Sequence, residues 1–258
     1  MKMKKIFTPF ENIGKNSRLL IILSWVILVA VFWFVSSMGE RHLFPSPEQV
    51  GRGFRELYNE GLMVHVGSSL WLCLKAILIA ITISLTITYL STIPVVMPVA
   101  RAISKLRYLP LTGITFYLAI IISNARTMQV WVLVVFMSTY LTTSLLSMVS
   151  SIEQEEFDHA RSLQCNRWEV LWEVVIKGRM DHVIEVIRQN LAIVWMMLVT
   201  VESILVAAGG LGFLIKNSDK FMNHGRIIAL QIVILFVGLS IDFILDYLRK
   251  AFFRYSKI

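Results

Sequence analysis

Residues 19–38 read LLIILSWVILVAVFWFVSSM, twenty residues without one charge. A helix needs roughly 20 apolar residues to cross the hydrocarbon core of a bilayer. Lys2, Lys4 and Lys5 precede the run as they would in a secretory leader. The apolar part of a leader, however, holds only about 7–15 residues and ends at a small-residue cleavage site. No such site follows Met38, so the run reads as a retained first span.

Five further apolar runs follow, at 68–93, 108–123, 129–149, 189–208 and 226–248. The run at 108–123 is short, and Ser123, Asn124 and Arg126 interrupt it. The chain is 56% hydrophobic and 16% charged, with a mean hydropathy of +0.69. Soluble domains lie near 45–50% and 25%. The fold class expected is an all-α membrane protein of about six transmembrane helices. Cys73 falls in an apolar run and Cys165 in a polar one, so the two sit in different compartments and no disulfide is expected.

The formal charge of +8 could point to nucleic acid, but its placement points elsewhere. With the N-terminus inside, 17 of the 25 basic residues fall in inner segments and seven in outer ones, while Lys75 lies within a span. Cytoplasmic loops carry just this excess. Both termini are therefore expected in the cytoplasm, and nucleic acid drops out as a partner. The chain divides into a cytoplasmic tail at 1–18, a first span at 19–38 and an external amphipathic segment at 39–67. A core at 68–248 and a cytoplasmic tail at 249–258 complete it.

Two polar segments carry structure of their own. In Phe44-Pro45-Ser46-Pro47-Glu48-Gln49-Val50, Ser46 reads as an N-cap, Pro47 as the first helical residue and Gln49 as the closing residue of a capping box. Val50, Phe54, Leu57 and Tyr58 then share one face, which either lies on the outer membrane surface or packs on neighbouring spans. The second segment, 151–187, is predicted to be a cytoplasmic helix-turn-helix. Ser151 with Gln154 opens the first helix, rich in Glu153, Glu155, Glu156 and Asp158, and Asn166 with Glu169 opens the second. Trp168, Leu171, Trp172, Val175 and Ile176 form an apolar stripe at helical spacing. Either the ends of the chain's own spans cover that stripe or a soluble partner does.

From residue 42 to 256 the sequence resembles the permease subunits of bacterial ABC importers of the nitrate, sulfonate and taurine type. Their cytoplasmic signature is Glu-x-Ala-Arg-x-x-Gly-Ala-Ser, then an aromatic residue and Leu-Pro. The matching stretch runs from Asp158-His159-Ala160-Arg161 through Gln164-Cys165-Asn166-Arg167-Trp168 to Val175-Ile176-Lys177. Pro45-Ser46-Pro47, Leu109-Pro110, Val201-Glu202, Gly210-Leu211-Gly212-Phe213 and the Gly238/Asp242 pattern recur in the family's order. Three positions depart: Asp158 replaces the glutamate, Gln164 the glycine, and Ile176-Lys177 the Leu-Pro. A glycine permits a left-handed turn at no steric cost. Gln164 must strain that turn or adopt another.

The resemblance implies a homodimer in the bacterial inner membrane that works with an ATP-binding cassette ATPase and an external substrate-binding protein. Asp158, Ala160, Arg161, Gln164 and Trp168 are the implied ATPase-docking residues. The chain shows no Gly-rich phosphate loop, so ATP belongs to the partner, and no catalytic group, cofactor or metal site is expected here. Within the spans, Glu202 either lines the pathway or has a structural role, because intramembrane ionisable groups face protein or a cavity. Lys75 either faces the pathway or snorkels. Asn190, Thr200 and Ser203 offer hydrogen bonds to a solute. Asp242 and Asp246 are expected to pair with Arg249, Lys250 or a neighbouring span, and His159 and His182 to lie at the surface. A secondary transporter is the rival class, but it would show internal repeats, and none is visible. A membrane enzyme would need a clustered constellation that is likewise not visible.

Overall fold

The computed structural model describes residues 14–37 and 44–252, and every regular element among them is helical. Lys2, Lys4, Lys5, Arg41, Arg254 and Lys257 lie outside the described residues. Five described helices are long and apolar enough to cross a membrane. They are α1 (Lys15–Ser37), α3 (Leu62–Leu90), α6 (Ala125–Ser150), α9 (Met180–Ile204) and α11 (His224–Phe252). Shorter helices join them: α2 (Pro47–Asn59), α4 (Met97–Lys105), α5 (Leu111–Ile121), α7 (Gln154–Ser162), α8 (Arg167–Val170) and α10 (Leu211–Lys220).

The sixth expected span, 108–123, contracts to the eleven residues of α5. At 1.5 Å per residue α5 is about 16 Å long, short of a hydrocarbon core of about 30 Å. Pro110 starts it, and the chain beyond Ile121 turns extended because Asn124 caps the next helix, its side chain accepting from Thr127 N at 3.0 Å. The chain still makes the return stroke. Arg126 Nη2, at the start of α6, donates to Ser68 O at 2.6 Å, and Ser84 Oγ donates to Ser138 O at 3.2 Å. These bonds set α3 and α6 side by side and pointing the same way, so α4, α5 and residues 122–124 carry the chain back between them.

Small side chains permit this contact. Ser69, Cys73, Ala76, Ala80, Ser84 and Thr88 are buried along one side of α3. In lipid, where apolar surface gains nothing by leaving water, such residues let helices approach closely enough for dispersion to hold them. α9 packs against α6 and also meets α3, and α11 packs on α9. The Trp195 indole donates to Ile234 O at 3.0 Å over Gly238, where an added Cβ would stand 3.0 Å from the ring. Helix α1 stands apart with nearly all its apolar side chains exposed. Trp33 fastens it, its Nε1 donating to Pro45 O at 3.1 Å and its ring packing against the core.

Helix α2 begins as its sequence predicts. Ser46 Oγ accepts from Gln49 N at 3.3 Å, and Gln49 Oε1 accepts from Ser46 N at 3.0 Å. Its buried face, Val50, Gly53 and Leu57, packs on α11; Tyr58 has rotated off that face and is exposed. A Cβ on Gly53 would meet the Arg226 backbone at 3.0 Å, and Arg226 forms an ion pair with Glu60. Gly53→Leu should therefore separate α2 from α11 and destabilise the fold by about 2 kcal/mol, the usual scale of overpacking. Denaturant titration of the purified protein in detergent measures this, and a wild-type midpoint would refute the close contact.

Candidate functional site

The segment between the fourth and fifth expected spans leaves α6 at Ser151. Ser151 does not cap α7 as predicted, because its hydroxyl turns back to Met148 O at 2.8 Å and finishes α6. Glu153 precedes α7 instead, without a side-chain cap. Glu155 and Glu156 still place acidic groups at the positive end of the helix. The far end resolves the question posed by Gln164. Its φ is +61°, its N–H donates to Arg161 O at 2.9 Å, and Cys165 N donates to Ala160 O at 3.3 Å. This is a Schellman termination with glutamine in the left-handed position that glycine usually holds. The turn is kept, and the strain of a side chain there is accepted.

The second helix opens at Asn166, whose side chain accepts from Arg167 N at 2.6 Å while Glu169 Oε2 accepts from Asn166 N at 2.6 Å. From Leu171 to Lys177 the coil widens to a π-helix, closed by Gly178 N donating to Glu173 O at 3.0 Å. A wider turn rotates side chains away from 3.6-residue spacing, so the predicted stripe splits. Val175 is buried, Leu171 and Ile176 are half-buried, and Trp168 and Trp172 are exposed. Trp168 is 63% exposed and Leu163 66%.

The five predicted docking residues divide in the same way. Asp158 and Arg161 are exposed and paired with each other at 3.2 Å, and Gln164 and Trp168 are exposed. Ala160 is buried and faces the chain's own interior. An ion pair between Glu156 and Arg179 ties α7 to the foot of α9. Beside it, a cleft of about 930 Å³ opens between Thr92, Ile93 and Pro94 on one side and Phe157, Arg161 and Trp168 on the other.

The five pathway candidates do not converge. Glu202, fully buried, accepts from Ser69 Oγ at 2.7 Å (Oε1) and from Gly212 N at 3.0 Å (Oε2). Ser69 Oγ itself accepts from Leu211 N at 3.0 Å. Arg126 Nη1 stands 4.0 Å from Glu202 Oε1 and 3.0 Å from Gln129 Oε1, and Gln129 Nε2 donates to Leu205 O at 3.0 Å. His65 Nδ1 accepts from Gly210 N at 3.3 Å. Ser203 bonds Val199 O at 2.8 Å and Gly212 O at 3.0 Å. Glu202 and Ser203 thus belong to one polar clamp that joins α3, α6, α9 and α10.

Asn190 is turned inward, donating to Ser144 Oγ at 3.2 Å and Val186 O at 2.8 Å. Thr200 faces a groove of about 690 Å³ between α9 and α11. Lys75 lies exposed on α3, its ammonium 4.9 Å from the Trp71 ring centre. At the opposite end of α9, Arg188 bonds Glu185 at 2.9 Å and Asp242 at 3.1 Å, and Arg249 also pairs with Glu185. Asp246 pairs with Lys250, as expected. His182 is half-buried beside Asp181 at 2.8 Å, and His159 is exposed.

Sequence reasoning singled out Glu202 but not its partners Ser69, Arg126, Gln129 and His65. A signal was present, since Arg126 and Gln129 are polar groups beside an apolar run. Gly210, at φ +110°, and Gly212 were quoted only as a pattern. A Cβ on Gly210 would overlap the Glu202 carboxylate, and one on Gly212 would stand 2.7 Å from Ser203 N.

The family described as binding-protein-dependent transport system inner membrane component matches residues 75–254. The chain belongs to this family. As a member it is a translocation subunit of an ABC importer, a multi-pass membrane component. It is 25% identical over 242 residues to the taurine transport system permease protein TauC of Escherichia coli strain K12, covering 87% of this chain and 85% of that one. A putative ABC transporter permease of Methanocaldococcus jannaschii is 24% identical over 129 residues, 49% of this chain and 48% of its own length. Among solved structures, an amino acid ABC transporter with histidines superposes with a TM-score of 0.60 at 17% identity, covering 76% of this chain and 94% of that one. That likeness speaks for the fold. The match to the family begins at Lys75, after α1, α2 and the first turns of α3, and takes in both the α7–α8 segment and Glu202.

Two outcomes follow for this importer subunit. Glu202→Ala strands the Gly212 N–H and the Ser69 hydroxyl and should destabilise the protein by about 3 kcal/mol, the upper scale for buried donors left unpaired; Glu202→Gln, which keeps an acceptor, should lose less. Unfolding by SDS titration ranks the two, and equal losses would refute the clamp. Gln164→Gly should raise the midpoint, since a left-handed non-glycine residue is strained by about 1 kcal/mol. A lowered midpoint would mean that the glutamine side chain earns its place by contacts.

Proposed function

We propose that two copies of this chain form the translocation pathway for a small solute, and that each copy docks an ATP-binding cassette ATPase through the surface at 153–168. The carrying observation is the exposed edge of that surface. Leu163 and Trp168 stand out beside the Asp158–Arg161 pair, on helices lying beyond the end of α6. A tryptophan and a leucine so placed, with an arginine beside them, make a compact docking patch. Ala160, being buried, would act by letting α7 sit close to the chain rather than by touching the partner.

The connectivity favours a coupling role. α8 runs through the π-helical turn directly into α9, and Glu156–Arg179 braces α7 against the same junction. A displacement of α7–α8 driven by ATP would reach α9 and shift its contact with α11. Such coupling exists only where the contacts differ in free energy between the two conformations. Thr200 in the α9–α11 groove and Lys75 on the exposed side of α3 remain as pathway residues. Glu202, Ser203 and Asn190 would act by holding helices in place. ATP would bind the partner, and an external binding protein would deliver and select the solute.

The start of α1 and the end of α11 lie at the end of the bundle that holds α7 and α8, which supports both termini lying in the cytoplasm with the basic excess. The test is a pull-down with the tagged chain in mild detergent. Trp168→Arg with Leu163→Arg should weaken ATPase binding by about 2 kcal/mol, roughly thirtyfold, and abolish uptake while membrane insertion is retained. Undiminished ATPase capture by the double variant would sink docking at this surface.

A further inference from the structure

Between Glu60 and Glu153 the sequence holds no Asp or Glu. Arg101, Lys105 and Arg107 fall in the middle of that stretch, on α4 and the 3-10 turn Leu106–Tyr108 that follows it. None of the three forms an ion pair among the described residues. Arg107 reaches only Tyr108, its Nη2 donating to the phenol oxygen at 3.2 Å and its guanidinium lying 5.1 Å from the ring centre. Thr143 Oγ1 donates to Ser104 O at 3.2 Å, which seats α4 beside the last two turns of α6, at the α7–α8 end of the bundle.

Apolar side chains are interleaved with these cations. Ala100 faces α6 and is buried, while Val95 is 83% exposed, Tyr108 is 75% exposed, and Val99 and Leu106 are exposed as well. Leu109 beyond the turn is exposed too, and in α5, which follows directly, so are Phe116, Tyr117, Ile120 and Ile121. A soluble partner could cover the cations but not the exposed apolar groups of a membrane helix. The bilayer covers both. A short helix with exposed aliphatic groups, a tyrosine and unpaired Lys and Arg is suited to the headgroup boundary.

We propose that α4 and the turn after it form an anionic phospholipid site, in which Arg101, Lys105 and Arg107 hold lipid phosphates while Val95, Val99, Leu106 and Tyr108 enter the acyl boundary. Anionic lipid supplies the countercharge that the chain itself omits between Glu60 and Glu153. The site differs in charge from the docking surface, where Glu155, Glu156 and Asp158 are acidic. It rests on the proposed orientation only for the leaflet concerned.

The test uses the full chain alone in phosphatidylcholine vesicles carrying spin-labelled phosphatidylglycerol or spin-labelled phosphatidylcholine. The protein-bound fraction of each label is read by electron paramagnetic resonance. Wild type should prefer phosphatidylglycerol. Each cation neutralised should lower the preference by up to about fivefold, and R101Q/K105Q/R107Q should bring it near parity. The charge-keeping R101K/K105R/R107K should retain it. If the triple variant does not insert, Lys105→Gln, whose side chain makes no hydrogen bond among the described residues, gives the same readout.

Equal binding of the two lipids by wild type, or an unchanged preference in the neutralised variants, overturns the proposal. So does a triple variant that loses ATPase capture while keeping its lipid preference, which would assign the cluster to a protein partner. No ATP or solute enters the measurement, so its failure is distinct from a failure of the importer reading, which the uptake assay addresses.

Discussion

A carboxylate buried within a membrane bundle must find its partners inside the protein, and Glu202 finds them on three other helices. Helices already in lipid gain little from burying more apolar surface, so their arrangement depends on close packing and on polar groups left without an alternative. Ser69 of α3 and the Gly212 N–H of α10 hydrogen-bond Glu202, and Arg126 of α6 lies within ion-pair reach. Gln129 extends the arrangement to the carbonyl of Leu205, where α9 ends. One side chain thereby fixes how four elements meet, and the absence of a Cβ at Gly210 and Gly212 is what leaves room for it.

The opposite end of α9 is held by different means. Glu185, Arg188, Asp242 and Arg249 form an ion-pair group with partial access to solvent. Glu185, Arg188 and Arg249 are largely withdrawn from solvent, and Arg188 meets Glu185 through two hydrogen bonds, so the group acts as a network rather than as isolated surface pairs. This end adjoins the π-helical turn and the α7–α8 pair, so α9 carries a polar fastening near each end. The groove between α9 and α11, with Gly238 under the Trp195 indole, runs between the two ends.

Hydropathy made the long helices legible, because twenty uncharged residues admit few other readings, and the capping residues Ser46 and Asn166 marked helix starts correctly. The missed cap at Ser151 shows the limit of that rule: one hydroxyl can serve only one helix, and α6 claimed it. α5 is shorter than the run at 108–123 because apolar composition does not reveal that Asn124 will cap the following helix. The stripe from Trp168 to Ile176 was read at 3.6-residue spacing, and nothing local announced a π-helical turn. Glu202 could be singled out by its rarity, but Ser69 lies 133 residues away, beyond any local pattern. Gln164 was the reverse case. The turn expected of a glycine was legible from the motif, and the backbone kept it despite the side chain.

The Glu202 clamp also bears on how the chain is made. α3 and α6 are synthesised before α9, so Ser69 and Arg126 are in place when Glu202 reaches the bilayer, but the Gly212 N–H is not. Until α10 emerges, the carboxylate lacks one of its donors, and α9 is correspondingly free to withdraw. A chain cut short before Gly212 would leave the Glu202 carboxyl group short of a partner in lipid.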